Sequence, residues 1–359
     1  MIRIKAGVPR GVRPFVFGLP IMWGALAITY RLVCPLAQQH DLGTRIVTTA
    51  VFFAAGAGLI LQVRRALLQE LKQARRVARA AQNALLRPLP SRVGGLHTAV
   101  AQLSADHGAR VGGDLYEVIA TEHGVRVVMG DVRGHGLAAL GTVAAVLGSF
   151  REAVHDEPEL GSVLRRLDRA LARHLAERAR DDHAVAEEFV TVLLLEIRPD
   201  GELLCLNCGH PWPYRLAGTR VEALAATDPL PPLGPFPLPR ELPAQSVGHL
   251  LTGESLILHT DGAEDARDGH GRFFSLPDAI AGAVRGQPVT PQTILRTVFD
   301  ALLRHTAGRP TDDIALLVLR NERSTVQCGA PPGARDSDTC GSAARARPAP
   351  TYPHPTNHL

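Results

Sequence analysis

Residues Arg110–Ala139 read "RVGGDLYEVIATEHGVRVVMGDVRGHGLAA". Strand-forming apolar residues lie on both sides of Glu122–His123–Gly124, so Leu115–Val132 is predicted to be a β-hairpin. An aspartate marks each outer end of it. Asp114 follows two glycines, and Asp131 precedes a glycine-rich turn. Glycine at such points lets the backbone approach a small ligand closely. The pattern repeats further along. "EFVTVLLLEIRPDGELLCLNCGH" (Glu188–His210) predicts a second hairpin turning at Pro199–Asp200–Gly201, and "ESLILHTDG" (Glu254–Gly262) a strand that ends in Asp261. "DDIALLVLR" (Asp312–Arg320) predicts a closing strand that begins with two aspartates.

Helical runs separate these strands. Two start near Leu137 and Leu160, between the hairpins. Two more are expected at Leu276–Val284 and Pro291–His305. Hairpins with grouped helices indicate an α+β sandwich rather than a doubly wound parallel sheet.

The rest of the chain has a different character. It holds 359 residues with a net charge of +4, too small to argue for nucleic acid as a partner. Arg13 and Arg31 bracket one uncharged stretch and Arg45 and Arg64 another, each close to the length that spans a bilayer. A two-helix transmembrane hairpin is expected, with spans at about 14–33 and 46–63 and residues 1–63 as the membrane unit. Arg3, Lys5, Arg10 and Arg13 precede the first span. Arg64, Arg65, Lys72, Arg75, Arg76 and Arg79 follow the second. Both ends are therefore expected in the cytoplasm. Residues 64–90 predict a basic helical linker, suited to an anionic lipid surface and closed by Pro88 and Pro90. Leu67, Leu71 and Val77 or Ala78 fall near heptad spacing, which permits a homodimer. Residues 91–320 form the candidate catalytic domain. Residues 321–359 have the composition of a disordered tail. Cys205 and Cys208 form a CxxC pair with no second pair nearby, which argues against structural zinc.

Asp114, Asp131, Asp261 and the Asp312–Asp313 pair all stand at strand ends. If those ends converge, the carboxylates repel one another unless a cation neutralises them. Hard oxygen ligands without cysteine or paired histidine suit Mg2+ or Mn2+. Local sequence cannot show the convergence, because Asp131 and Asp261 are far apart in the chain.

The motifs "GGDLYE", "GDVRGHGLAA", "FVTVLLLEI", "LNCGHPWPY", "LILHTDGAEDAR" and "DDIALLVL", in this order, resemble the sporulation-stage-II-E-type serine phosphatases. These are the bacterial branch of the protein phosphatase 2C superfamily. The resemblance covers about Leu85 to Arg320, and "AQNALLRPLP" is similar to the family's leading helix. It implies an αββα sandwich of two antiparallel sheets flanked by helices, two Mn2+ or Mg2+ ions, and hydrolysis of phosphoserine or phosphothreonine on a protein by water. It further implies that Asp131 bridges both ions. Asp114 and the Val132 backbone carbonyl serve one ion, and Asp261 and Asp312 the other, with Asp313 as alternate. Gly113 and Gly134–His135–Gly136 shape the loops, and the helix after Gly136 resembles a regulatory switch. The usual substrates are antagonists of anti-sigma factors. The chain departs from the family at Arg133, His259, Asp265 and Ala315, where Ser, Tyr, Glu and Thr are usual. Arg133 is a candidate phosphate contact, and His135 a candidate proton donor to the leaving serine.

Two other readings compete. A catalytically silent module of the same fold, binding a partner protein, would not need the acidic set, which is intact. A two-metal nuclease would need a basic groove with interleaved aromatics, but aromatics are only 4% of the chain.

Overall fold

The computed structural model describes residues 23–24, 29, 42–103, 112–134, 136–180, 188–225, 228–285 and 289–323. Most of the expected first span, His135 and the tail beyond Arg323 lie outside the described residues.

The first long element is one helix, α1 (Leu42–Leu85). It continues through Arg64, where the expected span ends and the expected helical linker begins. Ala, Leu, Arg and Gln continue across that point with no proline to interrupt them, so the helix does not break. Among the described residues, Thr49–Glu70 is long and apolar enough to cross a membrane, a stretch that overlaps the expected span at 46–63. None of that segment is buried inside the chain, and Phe53 is 80% exposed.

The C-terminal end of α1 docks on the folded domain. Ala81 and Leu85 pack on Leu140, and Leu86 enters the main core. The Leu85 carbonyl accepts a 2.7 Å hydrogen bond from Arg151, whose guanidinium also holds Glu117.

Two antiparallel sheets follow. The first orders its strands β1 (Arg92–Val93), β2 (Leu96–Leu103), β11 (Ile314–Asn321), β10 (Ser255–His259), β7 (Tyr214–Ala217) and β8 (Arg220–Ala223). The second orders β3 (Asp114–Thr121), β4 (Gly124–Val132), β5 (Val190–Ile197), β6 (Glu202–Cys208) and β9 (Gln245–His249). Helices α2 (Leu137–Asp156) and α3 (Leu160–Ala179) cover the second sheet. Helices α4 (Leu276–Ala283) and α5 (Pro291–His305) cover the first.

Strand β11 shows why the layers form. Its side chains alternate between faces. Ala315, Leu317 and Leu319 enter the core between the sheets, while Ile314, Leu316 and Val318 meet the helices α4 and α5. Both faces of the strand are covered, which explains its unbroken apolar run. The expected α+β sandwich is thus present, and its helix–sheet–sheet–helix layering follows from these two cores.

Buried charge also organises the second sheet. Arg126 on β4 is fully buried and pairs with Glu196, directly opposite on β5. The guanidinium also donates to the carbonyls of Val154, Glu157 and Pro158, closing the corner between α2 and α3. These are carbonyls that a helix end leaves without partners.

Candidate metal centre

Asp114 and Asp131 face each other directly across the β3–β4 ladder, so their side chains leave the same face. Asp261 opens a short 3-10 turn, Asp261–Ala263, at the end of β10. Asp312 and Asp313 lead into the neighbouring strand β11. Thr260 fastens these two ends together. Its hydroxyl accepts from the Ala315 N–H at 2.9 Å, and its own N–H donates to the Ala315 carbonyl at 3.1 Å.

Glycines bring the sheets' acidic ends into contact. A Cβ on Gly113 would stand 2.4 Å from the Val132 carbonyl oxygen and 2.7 Å from Asp131 Oδ1. One on Gly112 would stand 2.8 Å from Asp313 Oδ2. A side chain at either position would fill the space around these oxygens.

The electrostatics record the convergence. Burial pushes the Asp114 carboxyl well above the usual carboxylate range, and Asp131, Asp313, Asp261 and Asp312 push it further. Asp131 rises to about 7, first through burial and then through Asp261, Asp312 and Asp313, against a backbone hydrogen bond at Val132. Burial and Asp312 raise Asp261. The sequence-predicted carboxylates therefore share one cluster, and both members of the Asp312–Asp313 pair contribute to it. Asp312 raises Asp261 and Asp131, while the Asp313 carboxylate lies beside Gly112.

The donor set fits a hard divalent cation. It is made of oxygen, it is negative, and Asp114 Oδ2 is buried without a hydrogen-bond partner. Among the described residues, no three His, Cys, Asp or Glu side chains are grouped closely enough to hold a metal ion. Like charges without a counter-ion favour such an open arrangement.

Arg133 stands at the rim, exposed, with its guanidinium 5.3 Å over the Phe189 ring, and its main-chain N–H donates to the Phe189 carbonyl at 2.9 Å. The Cys205 and Cys208 thiols are buried and pushed up to about 12, so they are not reactive.

Sequence reasoning missed a polar group beneath the cluster. Thr191 on β5 lies opposite Asp131 and reaches His210, which Asn207 holds at the end of β6. The Gly209–His210 pair after an apolar strand was visible, but nothing local pointed from it to Asp131.

The family model for stage II sporulation protein E (SpoIIE) matches residues 121–322, more than half of the chain. The chain belongs to the SpoIIE family. No curated protein matches its sequence significantly. Among solved structures, the SiaA-PP2C domain of Pseudomonas aeruginosa is similar, with 20% identity and a TM-score of 0.54. That match covers 72% of this chain and 98% of the other. The RsbU and RsbW domains of a Mycobacterium tuberculosis protein match with 22% identity and a TM-score of 0.50, over 64% of this chain. This SpoIIE-family chain spans 62% of that mycobacterial chain, less than two thirds of its length. At such identities the likeness establishes the fold, that of a PP2C-type phosphatase domain.

Proposed function

We propose that this SpoIIE-family chain is a membrane-anchored, metal-dependent protein serine/threonine phosphatase. The observation that carries the reading is the convergence of Asp114, Asp131, Asp261, Asp312 and Asp313 from both sheets on one cluster. Asp114 and the Val132 carbonyl would hold one Mn2+ or Mg2+ ion, and Asp261 and Asp312 a second. Asp131 would be shared between them, and Asp313 is the alternate to Asp312. Bound there, the ions supply a Lewis acid for the phosphoryl oxygens and lower the pKa of water.

The protein's own groups supply the rest. Burial of Asp114 strengthens its attraction for a cation. Gly112 and Gly113 keep the space around Asp131 and Asp313 open. Arg133, steadied on Phe189, offers a charge-assisted donor to the substrate phosphate. His135 is assigned the proton for the leaving serine or threonine oxygen. The substrate is a phosphorylated regulatory protein, such as an antagonist of an anti-sigma factor.

The proposed organisation has a membrane unit at 1–63, a basic linker at 64–90, a phosphatase domain at 91–320 and a tail at 321–359. Two contacts support a helical hairpin. The Trp23 ring lies 5.5 Å from that of Phe52, and Gly56 leaves room for its indole. Small residues at such contacts suit helix pairs in lipid. Topology reporters fused at Gln38 and Leu86 test the cytoplasmic placement, and a periplasmic signal at Leu86 excludes it.

The activity is tested on the full chain in detergent micelles with a phosphoserine protein. Turnover is expected with Mn2+ and absent with EDTA. Undiminished turnover in EDTA overturns the reading.

A further inference from the structure

A buried polar chain runs from the second sheet to Asp131. Asn207 grips His210 twice. Its Nδ2 donates to the His210 carbonyl, and its Oδ1 accepts from the His210 N–H, both at 2.8 Å. His210 is 4% exposed. Its Nδ1 lies 3.0 Å from Thr191 Oγ1, and that oxygen accepts from the Asp131 N–H at 3.2 Å.

Burial keeps the His210 ring neutral, lowering it to about 3. A neutral imidazole donates from one nitrogen only. Nδ1 meets the Thr191 hydroxyl, while the buried Nε2 has no hydrogen-bond partner among the described residues. The Thr191 oxygen faces the Asp131 N–H at 3.2 Å and the Asp131 carbonyl at 3.4 Å, so it touches both ends of that residue's main chain.

We infer that His210 is a positioning residue for the acidic cluster, fixing the Thr191 hydroxyl that in turn seats the main chain at Asp131. These groups are not there to fill the core, since a buried polar network costs stability unless every member is satisfied, and His210 Nε2 has no partner among the described residues. Groups behind a metal ligand set its orientation, and their loss typically weakens metal binding about 10–100-fold. The inference rests on the metal reading above and adds residues to it.

The test is Mn2+ binding by calorimetry on the full chain in micelles, with melting in EDTA measured beside it. Thr191→Val, which replaces a hydroxyl by a methyl group, is expected to weaken Mn2+ binding about 10-fold. His210→Ala is expected to do the same, and His210→Asn, whose Oδ1 can accept the hydroxyl, to recover most of the loss. The Thr191→Val/His210→Ala double variant is expected to bind no worse than either single, because the two act as one chain. A purely structural role would lower the melting temperature and leave the binding constant alone. If Thr191→Val binds Mn2+ like the parent while Asp131→Asn does not, the positioning role is overturned. If Asp131→Asn also binds like the parent, the metal reading itself has failed and this inference falls with it.

Discussion

Strand β4 carries a buried or half-buried charge near each end, and the two are treated in opposite ways. Arg126 has a carboxylate opposite it and three carbonyls around it. Asp131 has a carboxylate opposite it and three more nearby. The first arrangement compensates its charge within the fold, and the second does not. A fully paired buried charge fixes structure. An uncompensated set of like charges stores repulsion that only a further group can relieve.

The largest expected effect breaks the second arrangement. Asp131→Asn keeps the size of the side chain and removes its charge. Turnover on a phosphoserine protein should fall by several orders of magnitude at saturating Mn2+, read by steady-state assay. Parent-level turnover would remove Asp131 from the site. The variant should still fold, since the charge it loses is one the fold does not neutralise.

Breaking the first arrangement should do the reverse. Arg126→Ala leaves Glu196 buried without its partner and should cost about 3–5 kcal/mol of stability. Chemical denaturation reads this. Arg126→Met combined with Glu196→Leu should recover much of the loss, because a buried ion pair is often replaceable by apolar residues of similar volume. Equal destabilisation by the double variant would show that the carbonyl contacts at the α2–α3 corner matter more than the pair.

The comparison sharpens with pH. Asp131 is raised to about 7 in the folded protein. In this range the folded state binds more protons than the unfolded state, so metal-free stability falls as pH rises through 7. Melting in EDTA should occur at a higher temperature at pH 6.5 than at pH 8, by ~2–4 °C for each kcal/mol of repulsion relieved. Saturating Mn2+ should reverse the order, because the carboxylates must be deprotonated to bind it. A flat profile in EDTA would mean that the acidic ends are further apart than the cluster requires. The smallest effect is expected at Asp200→Asn, in the exposed turn between β5 and β6. The side chain there accepts from the Glu202 N–H at 3.0 Å, which asparagine can also do. Neither turnover nor melting should move measurably.

Much of this was legible in the sequence, for physical reasons that differ between elements. The β3–β4 and β5–β6 hairpins carry long apolar runs around clear turns, and α2 to α5 match their expected positions closely. The short strands β7, β8 and β9 gave no such signal, because most of their residues are partly exposed and polar. The aspartates were readable one at a time as strand ends. Their convergence was not, since it depends on how the two sheets stack. Thr191, Asn207 and His210 lay within the quoted motifs "FVTVLLLEI" and "LNCGHPWPY" but received no role, because their link to Asp131 runs across strands that only the folded sheet brings together. Arg126 escaped because a single arginine in a strand reads as solvent-facing until Glu196 is found opposite it.

The unbroken helix α1 joins an apolar segment to a docking contact, and this couples length to phase. Each residue in a helix turns the chain by about 100° and advances it by about 1.5 Å. Inserting one residue between Glu70 and Ala81 would therefore swing the apolar face around the axis relative to Leu85 and Leu140. Inserting seven would return it within about 20°. Natural length changes in this connection should therefore come in sevens, or in threes and fours that compensate, rather than singly.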